Sequence, residues 1–206
     1  MMQSFVSMGI ITILWFLVGF SLAFGESLGG VVGNPWTFMA YRNVDMTELA
    51  IDGDVKVASI PGLLFAGYQG MFAVITPALM TGAFLDRVNF GPYIVFISMW
   101  LLLVYCPVCH WVWTGDGFLS VWGVKDFAGG LVVHVTAGFS ALASLVVVGR
   151  RSAKDLDAEP HNVPHVLLGT ALLWFGWFGT RGTWTLRTGH VHFIPFLFLF
   201  ISLPAI

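Results

Sequence analysis

Asp126 and His134 stand eight residues apart in an apolar stretch, "DFAGGLVVHVTAGFSALASLVVVGRR", that covers residues 126–151. A carboxylate at a helix start accepts hydrogen bonds from free backbone amides, here those of Ala128 and Gly129, and helix capping is the simpler interpretation of Asp126. On a helix His134 would lie about two turns, or roughly 12 Å, deeper than Asp126. A neutral imidazole can bind a small ligand or relay a proton, but a histidine can also be a satisfied core residue, and both readings stay open at this point.

A second candidate for chemistry is "CPVCH" at residues 106–110, which fits the C-x-x-C-H pattern of covalent c-type haem attachment. The same residues are ordinary constituents of an apolar helix end, with Pro107 as the cause of a kink. No second axial ligand is indicated, so a membrane haem protein is kept only as the minor alternative. We expect no cofactor and no metal, and we interpret His161 and His165 as loop and cap residues.

The composition identifies the environment of these residues. Hydrophobic residues make up 57% of the chain and charged residues 10%, against about 25% charged in an average soluble domain. The net charge of -2 offers no basic face for nucleic acid. The composition therefore predicts an integral membrane protein. No phosphate loop, nucleophile triad or carboxylate pair is present in the sequence, so we expect that the protein is not an enzyme.

Apolar runs of about 20 residues predict helices that cross the membrane. The fold class is therefore an all-α polytopic membrane protein with five transmembrane helices and an undecided sixth. The five spans are Val6–Phe24, Ala58–Leu85, Pro92–Trp113, Phe127–Gly149 and a run from Pro164 to about Gly179, and the undecided one is Phe193–Ile201.

Basic residues predict the orientation of these spans. Arg87, Arg150, Arg151 and Lys154 lie in the short loops 86–91 and 150–163. By the positive-inside bias these loops are cytoplasmic, which places Asp126 at the outer end of its helix. The membrane that we expect is the plasma membrane.

Five stretches together resemble one known family. They are "ILWFLVGFSLAFGE", "YQGMFAVITPALMTGAFLDRVNF", "CPVCHWVW", the stretch from Asp126 to Arg151, and "PHNVPHVLLGTALLWFGWFG". In order and spacing they resemble the ammonium transporters, methylammonium permeases and Rhesus proteins, and most of all the fungal methylammonium permeases. The resemblance implies a bundle of eleven helices built as two inverted halves, with a pore through each subunit of a homotrimer.

The resemblance covers residues 1–179, which we interpret as a partial ammonium transporter domain that lacks the first helix and the second half. After Gly179 the family pattern is lost, and Thr180 stands where the second gating phenylalanine of the family is expected. We therefore expect a truncated or mis-spliced product, with residues 180–206 as a divergent tail of no assigned role.

The resemblance also implies roles for single residues. His134 would be the first of two histidines in the middle of the pore, and Phe72 the first of the stacked phenylalanines at its outer mouth. Trp113 would recruit the substrate, Tyr68 would join its aromatic surface, and Asp126 would be the structural acid near the vestibule. We interpret most other tryptophans, including Trp15, Trp100, Trp174 and Trp177, as interface or core residues.

Physical chemistry is consistent with ammonium as the substrate of such a site. Aromatic faces attract a small cation by about 0.5 to 2 kcal/mol each. Deprotonation then lets neutral ammonia pass an apolar pore at much lower cost than the cation. The predicted function is ammonium transport for nitrogen uptake, with this chain inactive alone, and the alternative is a non-conducting regulatory or degenerate fragment.

Overall fold

The computed structural model describes residues 2–51, 55–84, 87–150 and 162–188. The chain divides into two compact units between Arg150 and Arg151. Helices dominate the described residues of both units, as the all-α prediction requires. The first unit contains the five residues for which the resemblance implies a role: Tyr68, Phe72, Trp113, Asp126 and His134.

Five helices follow one another in the first unit. α1 consists of Met2–Leu14, the π-helical turn Trp15–Gly19 and Phe20–Phe24. α2 consists of Gly62–Met80 and the 3-10 turn Thr81–Ala83, and α3 of Phe90–Trp100, the π-helical turn Leu101–Tyr105 and Cys106–Trp113. α4 is Phe118–Val121, and α5 consists of the π-helical turn Gly130–Val135 and Thr136–Val148. The stretches that hold α1, α2, α3 with α4, and α5 are long and apolar enough to cross a membrane. These four agree with the first four predicted spans.

The second unit contains α6, Val163–Thr188. Asn162 caps it, because its Oδ1 accepts a hydrogen bond of 3.1 Å from the backbone amide of His165. The fifth predicted span is thus a helix, although its apolar described part, Val163–Trp177, is shorter than the four membrane-length stretches. His161 and the undecided sixth span lie outside the described residues.

The connection between α1 and α2 carries two small antiparallel sheets. β1 (Ser27–Leu28) pairs with β2 (Val32–Gly33), and β3 (Glu48–Ile51) pairs with β4 (Val55–Pro61). The predicted span therefore begins too early, at Ala58, because that residue belongs to β4 and the helix starts only after Pro61.

The turn before α2 satisfies the first amides of that helix. The carbonyls of Asp45 and Thr47 accept hydrogen bonds from Leu63 (2.9 Å) and Gly62 (2.8 Å). Amides at a helix start lack partners inside the helix, so these two bonds fix where α2 begins.

Within the described ranges, three helices contain a π-helical turn, which the apolar pattern did not reveal. In α3 this turn directly precedes the segment that contains Pro107, a residue with no amide hydrogen. In α5 it produces the hydrogen bond of 3.1 Å from the His134 amide to the carbonyl of Gly129, five residues earlier. The rings of Trp15 and Tyr105 pack edge to face with centroids 6.3 Å apart, so the π turns of α1 and α3 meet in the core.

Tryptophans join the helices of this core. Trp15 Nε1 donates to the carbonyl of Ala66 in α2 at 3.0 Å, and a Cβ at Gly70 would lie only 3.1 Å from the Trp15 ring. Trp100 Nε1 donates to Ser140 Oγ in α5 at 2.8 Å. Both tryptophans are buried, which agrees with the interpretation of these two as core residues.

Arg87 joins two helices at the opposite end from Trp113. Its guanidinium donates to the carbonyl of Ala83 at the end of α2 and to that of Gly149 after the end of α5. A positive charge at a helix C-terminus is favourable because the last carbonyls there lack partners and carry partial negative charge.

Candidate functional site

Three predicted aromatic residues form one cluster, which we name the aromatic cluster: Tyr68, Phe72 and Trp113. Tyr68 and Phe72 are one turn apart on α2, and their rings meet at a right angle with centroids 5.1 Å apart. The ring of Phe72 packs against that of Trp113 from α3, with centroids 5.5 Å apart and an interplanar angle of 66°. Tyr68 is 48% exposed, so the cluster is accessible at its Tyr68 side.

Trp113 is held in its orientation by Asp126. The indole Nε1 donates a hydrogen bond of 3.0 Å to the backbone carbonyl of Asp126. With this bond in place, the indole ring packs against Phe72. The bond also joins the end of α3 to the start of α5.

The Asp126 side chain caps the start of α5. Its Oδ1 accepts hydrogen bonds from the amides of Ala128 (3.3 Å) and Gly130 (2.8 Å). Its Oδ2 accepts hydrogen bonds of 2.9 Å from Leu131 and from Val132. The carboxylate thus meets the free amides at the helix start, where negative charge is favourable.

This arrangement corrects one part of the capping prediction. Ala128 does donate to Asp126, but the predicted bond from Gly129 is replaced by three bonds from the following residues. Gly129 has a φ of +79°, in the left-handed region, and it turns the chain into α5. A side chain there would be strained, and its Cβ would lie 3.0 Å from Val133 Cγ2.

His134 lies in the π turn of α5 and its side chain is exposed. Among the described residues its imidazole makes no hydrogen bond and no ring contact joins it to the aromatic cluster. The structure therefore brings Tyr68, Phe72, Trp113 and Asp126 together, while His134 stands apart from them on the same helix that Asp126 caps.

Thr76 lies one helical turn after Phe72 and was not found by sequence reasoning. It is fully buried, and its Oγ1 donates a hydrogen bond of 2.6 Å to the carbonyl of Phe72. A threonine four residues after a predicted gate residue is a weak signal, because such bonds to the preceding turn are common in apolar helices.

The "CPVCH" residues do not fit covalent haem attachment. Cys106 and Cys109 are free and fully buried. His110 Nδ1 donates to the carbonyl of Ala23 at 3.0 Å, and His110 Nε2 is 2.9 Å from Ser27 Oγ. Both ring nitrogens are therefore used to join α3 to the end of α1 and the β1–β2 hairpin.

Asp45 adds a negative charge near the start of α2, the helix that carries Tyr68 and Phe72. The hydroxyl and the amide of Thr47 donate hydrogen bonds to Asp45 Oδ1, at 2.5 and 2.8 Å. These bonds hold the pKa of the Asp45 carboxyl below its usual range, with the hydroxyl as the larger cause. The carboxylate is therefore ionised at neutral pH.

Comparisons with known proteins agree with the resemblance read from the five motifs. A family-wide sequence model described as Ammonium Transporter Family matches residues 1–192. The chain is 46% identical over 187 residues to a putative ammonium transporter of Methanothermobacter thermautotrophicus, with 90% of this chain and 44% of the relative covered. It is 41% identical over 180 residues to Ammonium transporter 1 of Schizosaccharomyces pombe, with 87% of this chain and 35% of the relative covered.

A solved structure is similar as well. The crystal structure of Saccharomyces cerevisiae Mep2 superposes with a TM-score of 0.73 at 38% identity, over 86% of this chain and 39% of that chain. The chain thus spans less than half the length of each of these three proteins.

Proposed function

The chain belongs to the ammonium transporter family, and from this premise we propose that it builds the entry side of a transmembrane path for ammonium and ammonia. It is an integral membrane protein, with four stretches of membrane-crossing length among the described residues. We propose that the chain is part of a transporter and not an enzyme. The proposed partners are ammonium or ammonia and membrane lipid, and nucleic acid is not among them.

The observation that supports this proposal best is the aromatic cluster. Ammonium is a compact cation without a lone pair, so a site that recognises it offers aromatic faces. The rings of Phe72 and Trp113 pack at 5.5 Å, and Trp113 is oriented by its bond to Asp126. We assign substrate recruitment to Trp113, Phe72 and Tyr68, and closure of the path to Phe72.

His134 is proposed to act after recruitment. A bare cation in the apolar interior is costly, so the substrate loses its proton and neutral ammonia continues. The imidazole of His134 would bind ammonia by a hydrogen bond. The imidazole of His134 is exposed among the described residues, whereas an ionisable group in the membrane needs a partner. We therefore place His134 on a surface that another part of the pore covers.

Sidedness and assembly complete the proposal. The aromatic cluster faces the outside of the plasma membrane, and the loops 86–91 and 150–163 face the cytoplasm. The transporter domain in this chain covers residues 1–179, residues 180–206 have no assigned role, and complete protomers form a homotrimer.

The test is uptake by a completed transporter, in which residues 1–179 of this chain replace the matching segment of Saccharomyces cerevisiae Mep2. Expressed in yeast that lacks its own ammonium transporters, this protein is expected to take up labelled methylammonium in a saturable way that ammonium inhibits. A membrane-inserted protein without uptake above the empty-vector level overturns the proposed function.

One observation favours a second candidate for the 206-residue chain expressed without a complement. The exposed imidazole of His134 favours a non-conducting fragment that associates with other chains. Uptake by the isolated chain and uptake by the completed transporter distinguish the two candidates.

A further inference from the structure

Three hydrogen bonds join the β1–β2 hairpin to residues 110–118, the segment that carries Trp113. They connect Ser27 Oγ with His110 Nε2 (2.9 Å), Trp111 Nε1 with the carbonyl of Val31 (2.6 Å) and the amide of Phe118 with the carbonyl of Gly30 (3.2 Å). These bonds lie on both sides of Trp113 in the sequence. The hairpin therefore holds both ends of the segment that presents this ring.

The partners of His110 determine its tautomer. Nδ1 lies 3.0 Å from the carbonyl of Ala23, and because a carbonyl only accepts, the proton is on Nδ1. Nε2 is then an acceptor, to which the hydroxyl of Ser27 donates. His110 is fully buried and both of its nitrogens are satisfied, so its imidazole is held in one orientation.

One hydroxyl connects the two ends of the segment. Ser27 Oγ also accepts a hydrogen bond of 3.0 Å from the amide of Gly30, and the carbonyl of Gly30 accepts from Phe118. The turn between the two ends is tight, since a Cβ at Gly117 would lie 2.2 Å from the carbonyl oxygen of His110. The bonds through the hairpin thus close a ring with the chain that contains Trp113.

The segment meets the aromatic cluster on its other side. Trp111 and Trp113 are two residues apart, which directs their side chains about 200° apart around a helix. Trp111 bonds to the hairpin, whereas Trp113 donates to the carbonyl of Asp126 at 3.0 Å and packs on Phe72. The orientation of the Trp113 ring therefore depends on the hairpin as well as on Asp126.

We propose that the β1–β2 hairpin positions Trp113 for substrate recruitment, and that His110 is the positioning residue through which the hairpin acts. None of the hairpin residues belongs to the aromatic cluster, so the hairpin affects ammonium only through Trp113. The inference rests on the proposed function for this effect, while the bonds themselves are a property of the fold.

The hairpin offers a matched pair of variants, because Gly29 and Gly30 both have a positive φ, +66° and +76°. Alanine is strained at either position. Only at Gly30 would its Cβ meet the segment, 3.2 Å from the carbonyl oxygen of Asp116 and 3.5 Å from the amide nitrogen of Phe118. At Gly29 no atom of the described residues lies within 4 Å of such a Cβ. Gly29→Ala is therefore the control for Gly30→Ala.

The first test measures methylammonium uptake by the completed transporter. Gly30→Ala is expected to raise the half-saturating concentration about 2- to 5-fold with a smaller change in the maximal rate, because one aromatic face is misplaced while the path is intact. Gly29→Ala should keep both values of the parent. Equal half-saturating concentrations for the two variants, or a loss of the maximal rate alone, overturn the proposal.

Two replacements of His110 separate its two bonds. The amide group of glutamine reaches the position of Nε2 and can accept from Ser27, whereas that of asparagine lies at the position of Nδ1 and reaches only Ala23. His110→Gln is expected to keep the half-saturating concentration within about 2-fold of the parent, and His110→Asn to raise it as Gly30→Ala does.

The His110→Asn loss should not add to that of Trp113→Leu in a double variant, since both act through one ring. Equal values for the two His110 variants, the reverse order, or fully additive losses overturn the proposal. If neither His110 variant accumulates, the glycine pair decides.

Hydrogen exchange tests the positioning without transport. In the purified completed transporter, Gly30→Ala is expected to speed the exchange of the amides of residues 110–118 relative to Gly29→Ala, as followed by mass spectrometry of peptides. Faster exchange that is confined to the hairpin overturns the proposal. A parent without uptake refutes the proposed function but leaves this measurement valid.

Discussion

The aromatic cluster and His134 lie in the same unit of the chain but differ in how many contacts hold their side chains. The ring of Phe72 packs against the rings of Tyr68 and Trp113, and the indole of Trp113 also donates a hydrogen bond to Asp126. The imidazole of His134 is exposed and has no hydrogen bond among the described residues. The difference indicates that the described residues fix the geometry of the proposed recruitment site, whereas they give the imidazole of His134 no hydrogen-bond partner.

The most severe test of this difference is to express residues 1–206 alone. We expect no methylammonium uptake in transporter-deficient yeast, because a pore between two repeats takes half of its wall from each. Membrane insertion is checked by protease protection, so that absence of the protein is not mistaken for absence of transport. Robust, saturable uptake that His134→Ala abolishes would contradict the prediction.

In the completed transporter, His134→Ala tests the less determined region directly. We expect uptake to fall about 10-fold or more while expression changes little, since an exposed imidazole supports few folding contacts. His165→Ala, at the start of α6, serves as the control. Wild-type uptake by His134→Ala excludes a role of this residue in the path.

Asp126→Asn tests the well-determined region through its stability. The amide keeps one acceptor oxygen but presents a donor to the amides of Leu131 and Val132. Loss of these charge-assisted bonds is expected to lower the free energy of unfolding by about 2 to 4 kcal/mol. Thermal unfolding measures it, with the exposed Asp116→Asn as the control, and equal stability of both variants would mean that the cap is dispensable.

Trp113→Leu tests recruitment without removing the path. Loss of one aromatic face is expected to weaken competition by ammonium against sodium about 3- to 10-fold. The matched control is Trp122→Leu, because Trp122 is 76% exposed and packs on Phe118 outside the aromatic cluster. If both variants discriminate as the parent does, Trp113 has no recruiting role.

Sidedness can be measured with almost no effect on function. A thiol introduced by Ser152→Cys should react with an impermeant reagent only after the cells are opened, because loop 150–163 is predicted to be cytoplasmic. Cys106 and Cys109 are fully buried and give little background. Labelling of intact cells would reverse the orientation of the aromatic cluster.

Sequence reasoning predicted what depends on residue type and missed what depends on local backbone geometry. Hydropathy was sufficient to predict the four membrane-length stretches. The motifs were sufficient to select the residues that form the aromatic cluster. The bonds of Asp126 to Gly130, Leu131 and Val132 depend on the left-handed turn at Gly129, for which a pair of glycines is no specific signal.

The π turns escaped sequence reasoning for a related reason. An extra residue in a helical turn shifts every later side chain around the axis, but it leaves the mean hydropathy of the run unchanged.

The guanidinium of Arg87 is a hydrogen-bond donor shared by the ends of α2 and α5. One planar, always charged group serves both carbonyls, whereas a lysine could not span them with the same rigid fork. One side chain therefore joins the ends of the two helices that carry Phe72 and His134.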